Sequence, residues 1–438
     1  MPNTLAAWLS YIESLHPKSI AMGLERVKRV IDCLQLQPTF PIITVAGTNG
    51  KGSTCAMLEQ MYKQAGYQVG CYTSPHLLRY NERVRVNGHE VSDADLCAAF
   101  AAVEAARLKA LRLEADNAAI QLTYFEVGTL AAMWHFMQTG IDVAILEIGL
   151  GGRLDAVNAF EPSCAIVTSI DIDHQEFLGN TRESIGLEKA GVYRTLIPAV
   201  CGDASPPETL ITYAKNIQAD FKCLQRDFDY KVLDDGSWQY RMLGKVVHTL
   251  PLPALQGRYQ LNNAACAITA VGALQSILPI TIGALARAMR EVTLAGRFQT
   301  IAESPRVIMD VAHNPHAAHA LAENLKTSRV QHGRTFAVFA MLADKDVRGV
   351  VEAVRDEIDV WYIASIDNVR GASAAELALV VADEAPDAIC KVFASAADAY
   401  LQARIDIETC IDGDENDKIV VFGSFFTVSS VMQLLRAV

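Results

Sequence analysis

The ten cysteines of this 438-residue sequence form no CxxC pair. Zinc sites and dithiol redox centres commonly need that spacing, so both are excluded, and a disulfide framework is not expected in so long a chain. Each cysteine reads as a small core hydrophobe, and a reducing, cytoplasmic setting is the expectation. No run of 18 uncharged apolar residues occurs, which excludes a membrane-spanning helix. The N-terminus has neither a basic n-region nor an apolar h-region, so no secretion signal is read there. Basic residues are outnumbered, 38 Lys and Arg against 50 Asp and Glu, for a formal charge of −12. A nucleic-acid surface needs a basic face and is excluded. A small anionic ligand is not, because one lysine and a divalent cation reverse the field inside a single cleft. Internal repeats and low-complexity stretches are also missing.

What is present is a chain 51% apolar and 20% charged, the composition of a globular enzyme, with a length that predicts two domains. The first residues read as an amphipathic helix with Leu5, Trp8, Leu9, Ile12 and Leu15 on one face. Strand-like runs at 42–47, 67–73, 142–149 and 165–170 alternate with helical patterns such as 124–137. That alternation predicts βαβ units around a mostly parallel sheet. A β-rich insertion is expected over 221–252, around the Asp234-Asp235-Gly236 turn. The pattern then restarts, with strands at 306–311, 335–341, 360–366, 389–393 and 419–422 separated by helices such as 315–325 and 374–382. The expected fold is α/β. An N-terminal P-loop-type, mostly parallel sheet domain covers 1–295, and a smaller Rossmann-like α/β domain covers 296–438.

The most informative stretch is 41–54, PIITVAGTNGKGST. A β-branched run ends in a glycine-rich turn carrying Lys51, and a helix is expected over 55–65. Strand, glycine loop and helix together bind phosphate, because backbone N–H groups and the helix N-terminus face the anion. The loop is shorter than the usual GxxxxGK[ST] pattern, with two residues between Gly47 and Gly50, and Gly52 follows the lysine. Lys51 supplies a positive charge, and Ser53 or Thr54 a hydroxyl for magnesium. The bland alternative is a tight turn at a strand end.

Ligands of open α/β sheets bind at the carboxyl ends of strands. Three strands of the first sheet end in polar, metal-compatible groups: Ser74 in TSPHL, Glu147 in DVAILEIGLGG, and His174 in DIDH. Glu147 could instead pair with Arg153, Asp155 could cap a turn, and His174 could be a hydrogen-bonded loop residue. In the second half, Asp310, His313 and Asn314 end one strand, and Arg297 precedes it with a guanidinium suited to phosphate.

Taken with TSPHL, EIGLGGRLDAVN, DIDH, EKAG, AGRF and DVAHNP, the GTNGKGS loop resembles the folylpolyglutamate synthases. More narrowly, the chain is similar to the bacterial bifunctional dihydrofolate synthase/folylpolyglutamate synthases, within the Mur-type ATP-dependent amide ligases. The likeness covers nearly the whole chain in order. It implies an enzyme that uses ATP to turn a carboxylate into an acyl phosphate, which the amine of L-glutamate then attacks. The substrates implied are dihydropteroate and folates, with two Mg2+ ions and a monomeric, cytoplasmic protein.

By the same resemblance Gly50, Lys51, Gly52 and Ser53 hold the ATP phosphates, and Asn263, Arg297 and Asp310 make further nucleotide contacts. Ser74, Glu147 and His174 bind magnesium. Lys189 matches a carbamylated lysine (N6-carboxylysine), and His313 a histidine close to the reacting phosphoryl group, so that Lys51, Lys189 and His313 form the catalytic set. Ser19, Ile20, Ala21 and Met22 match a dihydropteroate loop, completed by Thr123, Leu154, Asp155 and Ala156. The chain departs from the family pattern at Ala21, where Asp is frequent, at Tyr259, where His is common, and at Phe426, where His is usual. Two alternatives are a cell-wall amide ligase of the Mur type and a nucleotide-binding switch. The first usually carries a further N-terminal domain, and the roughly 40 residues before the phosphate-loop strand disfavour it. A guanine-reading switch would carry an NKxD motif, which is missing.

Overall fold

The apolar run that opens the phosphate loop is a strand, β1 (Ile42–Ala46), buried along its whole length. The computed structural model describes residues 2–18, 20–112, 120–330, 332–409 and 414–437; Ser19 lies outside them. Two compact units are present, Met1–Ala254 with Leu261–Val292, and Leu255–Gln260 with Thr293–Val438.

In the first unit the strands after β1 are β2 (Val69–Tyr72), β3 (Val84–Val86), β4 (His89–Glu90), β5 (Val143–Glu147), β6 (Cys164–Val167), β7 (Pro198–Cys201) and β8 (Asp220–Cys223). They form one eight-stranded sheet in the order β4-β3-β2-β5-β1-β6-β7-β8. The run from β2 to β8 is parallel, and β3 and β4 add an antiparallel edge. β1 lies between β5 and β6, so chain leaving β1 moves to one side of the sheet and chain leaving β5 returns to the other. Such a switch point opens a crevice at the strand ends, where ligands of this architecture bind.

The helix after β1 runs from Lys51 to Gln64. It starts one turn earlier than periodicity alone gave, because Gly50 turns the chain with φ 86° and Lys51 is already helical. Its Cys55, Met57, Leu58 and Met61 are fully buried. Helix Tyr124–Thr139 opens with a capping box in which Thr123 and Glu126 exchange hydrogen bonds, and it ends on left-handed Gly140. Both terminators are the residues that favour these positions. The N-terminal helix Leu5–Ser14 buries Leu5, Trp8 and Ile12. The insertion is a three-stranded antiparallel sheet of β9 (Phe228–Val232), β10 (Ser237–Met242) and β11 (Lys245–Pro251), with Asp234-Asp235-Gly236 in the first turn as expected; it begins later than position 221, because Asp220–Cys223 pairs with β7 as the last strand of the main sheet.

The second unit holds β12 (Gln299–Glu303), β13 (Arg306–Met309), β14 (Thr335–Phe339), β15 (Val360–Ala364), β16 (Ile389–Phe393) and β17 (Lys418–Phe422). Their order is β12-β13-β17-β14-β15-β16, with only the β12–β13 pair antiparallel. Strands β14, β15 and β17 are buried at every position, as expected of strands covered by helices on both faces. No described helix is long and apolar enough to cross a membrane.

Candidate active site

The phosphate loop is fixed by the strand beside it. The Thr48 amide donates to the Ser169 carbonyl at 2.8 Å, and the Asn49 amide to the Ser169 hydroxyl at 3.1 Å. The Thr168 and Ser169 hydroxyls both donate to the Asn49 carbonyl, at 2.6 and 3.0 Å. The Thr48 hydroxyl bridges to Asp171, accepting from its amide at 3.0 Å and donating to its carbonyl at 3.1 Å. These bonds tie the loop to the strand end of β6. Gly47 packs on Thr168 and Gly50 on the Asn263 side chain so closely that neither has room for a Cβ. Asn263, buried in helix Arg258–Ala273, thus stands against the loop. Lys51 lies across the turn and donates to the carbonyls of Gly47 and Thr48, both at 3.1 Å. Ser53 is buried in the first helical turn.

Two of the three residues expected to hold a cation meet directly. Ser74 follows β2 and Glu147 ends β5, and the Ser74 amide donates to Glu147 Oε2 at 3.1 Å. Glu147 is only 4% exposed. Arg153, its possible ion-pair partner by sequence, instead pairs with Glu188 at 2.7 Å. His174 stands on the loop after β6, in a left-handed conformation with φ 51°, its amide donating to Asp173 at 2.8 Å. Among the described residues no group of three or more His, Cys, Asp and Glu side chains could by itself hold a metal. One carboxylate and one hydroxyl residue at neighbouring strand ends still fit magnesium, which binds through one or two carboxylates and takes its other ligands from water and phosphate.

Lys189, near the end of helix Arg182–Ala190, is 4% exposed. Burial, then the nearby charge of Lys51, lowers its pKa to about 7 against the opposing pull of Asp173 and Asp155. Gly152 packs on the backbone of Glu188 and Lys189, where a Cβ would collide.

The segments expected around dihydropteroate also converge. Arg26 donates to the Ala21 carbonyl and pairs with Glu126 at 2.7 Å, and Glu126 accepts from the Thr123 amide at 2.7 Å. The Gly23 amide donates to the Leu154 carbonyl at 3.4 Å, and Met22 lies by Gly151. Ile20 is half-buried and Ala156 buried. Asp155 serves as the cap its sequence position allowed: it accepts from the amides of Gly149, Leu150 and Val157 at 3.1, 2.9 and 3.0 Å. Burial still raises its pKa to about 7 against those bonds.

In the second unit the Arg297 guanidinium lies 5.3 Å from the centre of the Phe425 ring, and the His313 ring lies 6.1 Å from it. His313 Nδ1 is 2.8 Å from the Val311 carbonyl, a contact that fixes the ring. Asp310 accepts from the amides of Phe298 and Ala312, both at 2.8 Å, and burial raises its pKa against the pull of Arg297. Phe426, at the departure from the family pattern, is 49% exposed, and its neighbour Phe425 is the ring that meets Arg297 and His313.

Residues 45–271 match the Mur ligase middle domain, and residues 296–425 match the Mur ligase glutamate ligase domain. The dihydrofolate synthase/folylpolyglutamate synthase of Escherichia coli K12 is 43% identical over 99% of this chain and 96% of its own length. The chain belongs to the dihydrofolate synthase/folylpolyglutamate synthase family. Among solved family members, Escherichia coli FolC in complex with DHPP and ADP superposes with a TM-score of 0.90 at 42% identity, covering 100% of this chain and 99% of that one. A bifunctional folylpolyglutamate synthase/dihydrofolate synthase with Mn, AMPPNP and L-glutamate bound gives 0.87 at 41% identity, covering 99% and 98%.

Sequence reasoning missed Thr168 and Ser169, the clamp of the phosphate loop in this family member, and Phe425. A hydroxyl at a strand end is too ordinary a signal, although the run TSIDID after an apolar strand holds both. Arg26 and Glu126 were missed as well, though Thr123 and Glu126 stand at capping-box spacing.

Proposed function

We infer that this chain is an ATP-dependent ligase that joins L-glutamate to dihydropteroate, forming dihydrofolate, and adds further glutamates to tetrahydrofolates. The observation that carries the reading is the contact between Ser74 and Glu147 in the same sheet as the clamped phosphate loop. The names and bound ligands of the relatives agree with it.

A carboxylate is a poor electrophile, and the reaction needs it phosphorylated first. The substrate carboxylate attacks the terminal phosphorus of ATP, ADP leaves, and an acyl phosphate forms. The glutamate amine then attacks the acyl carbon, loses a proton and expels phosphate, leaving an amide. In this reading Gly50, Lys51, Gly52 and Ser53 cradle the phosphates, and Lys51 turns from its loop carbonyls to the anion. Asn263, Arg297 and Asp310 meet the nucleotide, and His313 faces the transferring phosphoryl group. Ser74, Glu147 and His174 would hold magnesium, which when bound would supply positive charge against the phosphates. The protein's part is positioning and charge compensation.

Lys189 is proposed to carry a carbamate. Only a neutral amine attacks carbon dioxide, and a pKa lowered to about 7 keeps much of this one neutral at physiological pH. The carbamate would then be an anion able to hold a second cation. Ile20, Ala21, Met22, Thr123, Leu154, Asp155 and Ala156 shape the dihydropteroate pocket, with Ser19 in the same segment. The nine described cysteines are all free, which suits the reducing cytoplasm in which the reading places the enzyme. Incubation with ATP, magnesium and labelled glutamate tests the reading, with dihydropteroate and tetrahydrofolate offered separately. Label should enter both products; a product from neither would refute it.

A further inference from the structure

Beyond the residues assigned above, one buried ion pair links the phosphate-loop helix to the strand end that carries Ser74. Glu59 lies on helix Lys51–Gln64 and Arg85 on β3; their side chains are 8% and 16% exposed and meet at 2.8 Å. Eight residues separate Glu59 from Lys51, about 12 Å along the helix axis. The pair therefore anchors the helix well away from the end that bears the loop.

Every nitrogen of the Arg85 guanidinium is engaged within the protein. Nε and Nη2 donate to Glu59 Oε2 at 3.1 and 2.8 Å, and Nη2 also reaches Cys71 Sγ at 3.3 Å. Nη1 donates to the Thr73 hydroxyl at 3.1 Å and to the Glu82 carbonyl at 2.7 Å. The other Glu59 oxygen accepts from the Gly88 amide at 3.0 Å. Gly88 and Asn87 both have positive φ, the geometry of the tight Asn-Gly turn that joins β3 to β4. A guanidinium so committed has no donor left for a substrate, so its role is to position. The residue after Thr73 is Ser74, whose amide contacts Glu147. One unbroken series of contacts thus runs from the phosphate-loop helix through Glu59, Arg85, Thr73 and Ser74 to Glu147.

We propose that the Glu59–Arg85 pair is a positioning device that sets Ser74 in register with the phosphate loop and thereby fixes the site's affinity for its divalent cation. The proposal rests on the reading that Ser74 and Glu147 hold that cation. Magnesium needs near-octahedral ligands at about 2.0–2.1 Å, so a small displacement of a strand end is costly. Arginine suits the task where lysine would not, because only a planar fork reaches a carboxylate, a hydroxyl and a carbonyl at once.

The test measures Mn2+ affinity of the AMPPNP complex, by paramagnetic resonance of free Mn2+, in the parent protein and in Arg85→Met, Thr73→Val and Thr73→Ser. Arg85→Met strands a buried carboxylate and can unfold the chain. Thr73→Val leaves the ion pair whole and removes only the hydroxyl that Arg85 holds, so it keeps the test open. Arg85→Met and Thr73→Val should weaken Mn2+ binding about tenfold, the usual effect of losing a group that supports a metal ligand. Thr73→Ser should restore parental affinity. Thr73→Val binding Mn2+ as the parent does would overturn the proposal, even if its melting temperature fell. No Mn2+ binding by the parent complex would instead bring down the reading of Ser74 and Glu147 themselves.

Discussion

The backbone amide of Ser74 donates to the carboxylate of Glu147 at 3.1 Å, joining two strand ends 73 residues apart in sequence. A carboxylate buried at that point and aimed at a hydroxyl residue is suited to a hard cation. Glu147→Gln keeps the shape and a hydrogen-bond acceptor but removes the charge. It should raise the magnesium concentration needed for half-maximal activity by about tenfold or more. An unchanged magnesium titration would remove Glu147 from the cation's ligands.

Lys51 spends its charge on two loop carbonyls until an anion arrives. Lys51→Ala should therefore leave the fold intact and cost about 2 kcal/mol or more of transition-state stabilisation. That is a fall in kcat/KM of about 30-fold. Steady-state kinetics at saturating magnesium checks it, and near-parental values would reject the phosphate role.

Lys189 gives the pH dependence. Its folded pKa, lowered to about 7 from the ordinary lysine value of 10.5, leaves the native state with fewer bound protons than the unfolded state between those values. Stability from this group accordingly rises with pH across that window, and the full penalty of burying a cation is felt below about pH 7. The amine that reacts with carbon dioxide is gained over the same rise. Activity in bicarbonate should increase from about pH 6 to about pH 8, and Lys189→Met should lose it. Carbamate density on the side chain at high bicarbonate would support the modification; activity indifferent to bicarbonate at every pH would contradict it.

Asp155 holds its loop by accepting three backbone amides. Asp155→Ala leaves those donors without their partner and should destabilise the protein by about 1–3 kcal/mol. Because the loop borders Ala156 and Leu154, KM for dihydropteroate should rise more than KM for ATP. Denaturant melts and paired KM measurements separate the two effects.

The fold was legible where the signal is local. The strand, glycine turn and helix around Lys51 lie within 25 residues, and the buried strands of the second sheet are continuous apolar runs. The edge hairpin of β3 and β4 was missed because its strands have only three and two residues, too short for alternation to show. Its Asn87-Gly88 turn was the available sign. The loop clamp was not legible, since Asn49 and Thr168 meet across 119 residues and neither carries a motif that points to the other. The same holds for Arg26 with Glu126, and for Arg85 with Glu59. Glu147 and Ser74 could be read as candidates from their places at strand ends, but their contact depends on β2 pairing with β5, which only the sheet order reveals.

The central claim is that ATP is cleaved only to activate a pterin carboxylate for glutamate. Its most direct test is ADP release followed with dihydropteroate and L-glutamate present together, and then with each withheld. ADP should accumulate through repeated turnovers only in the complete mixture. The same steady rate with either substrate withheld would contradict the account.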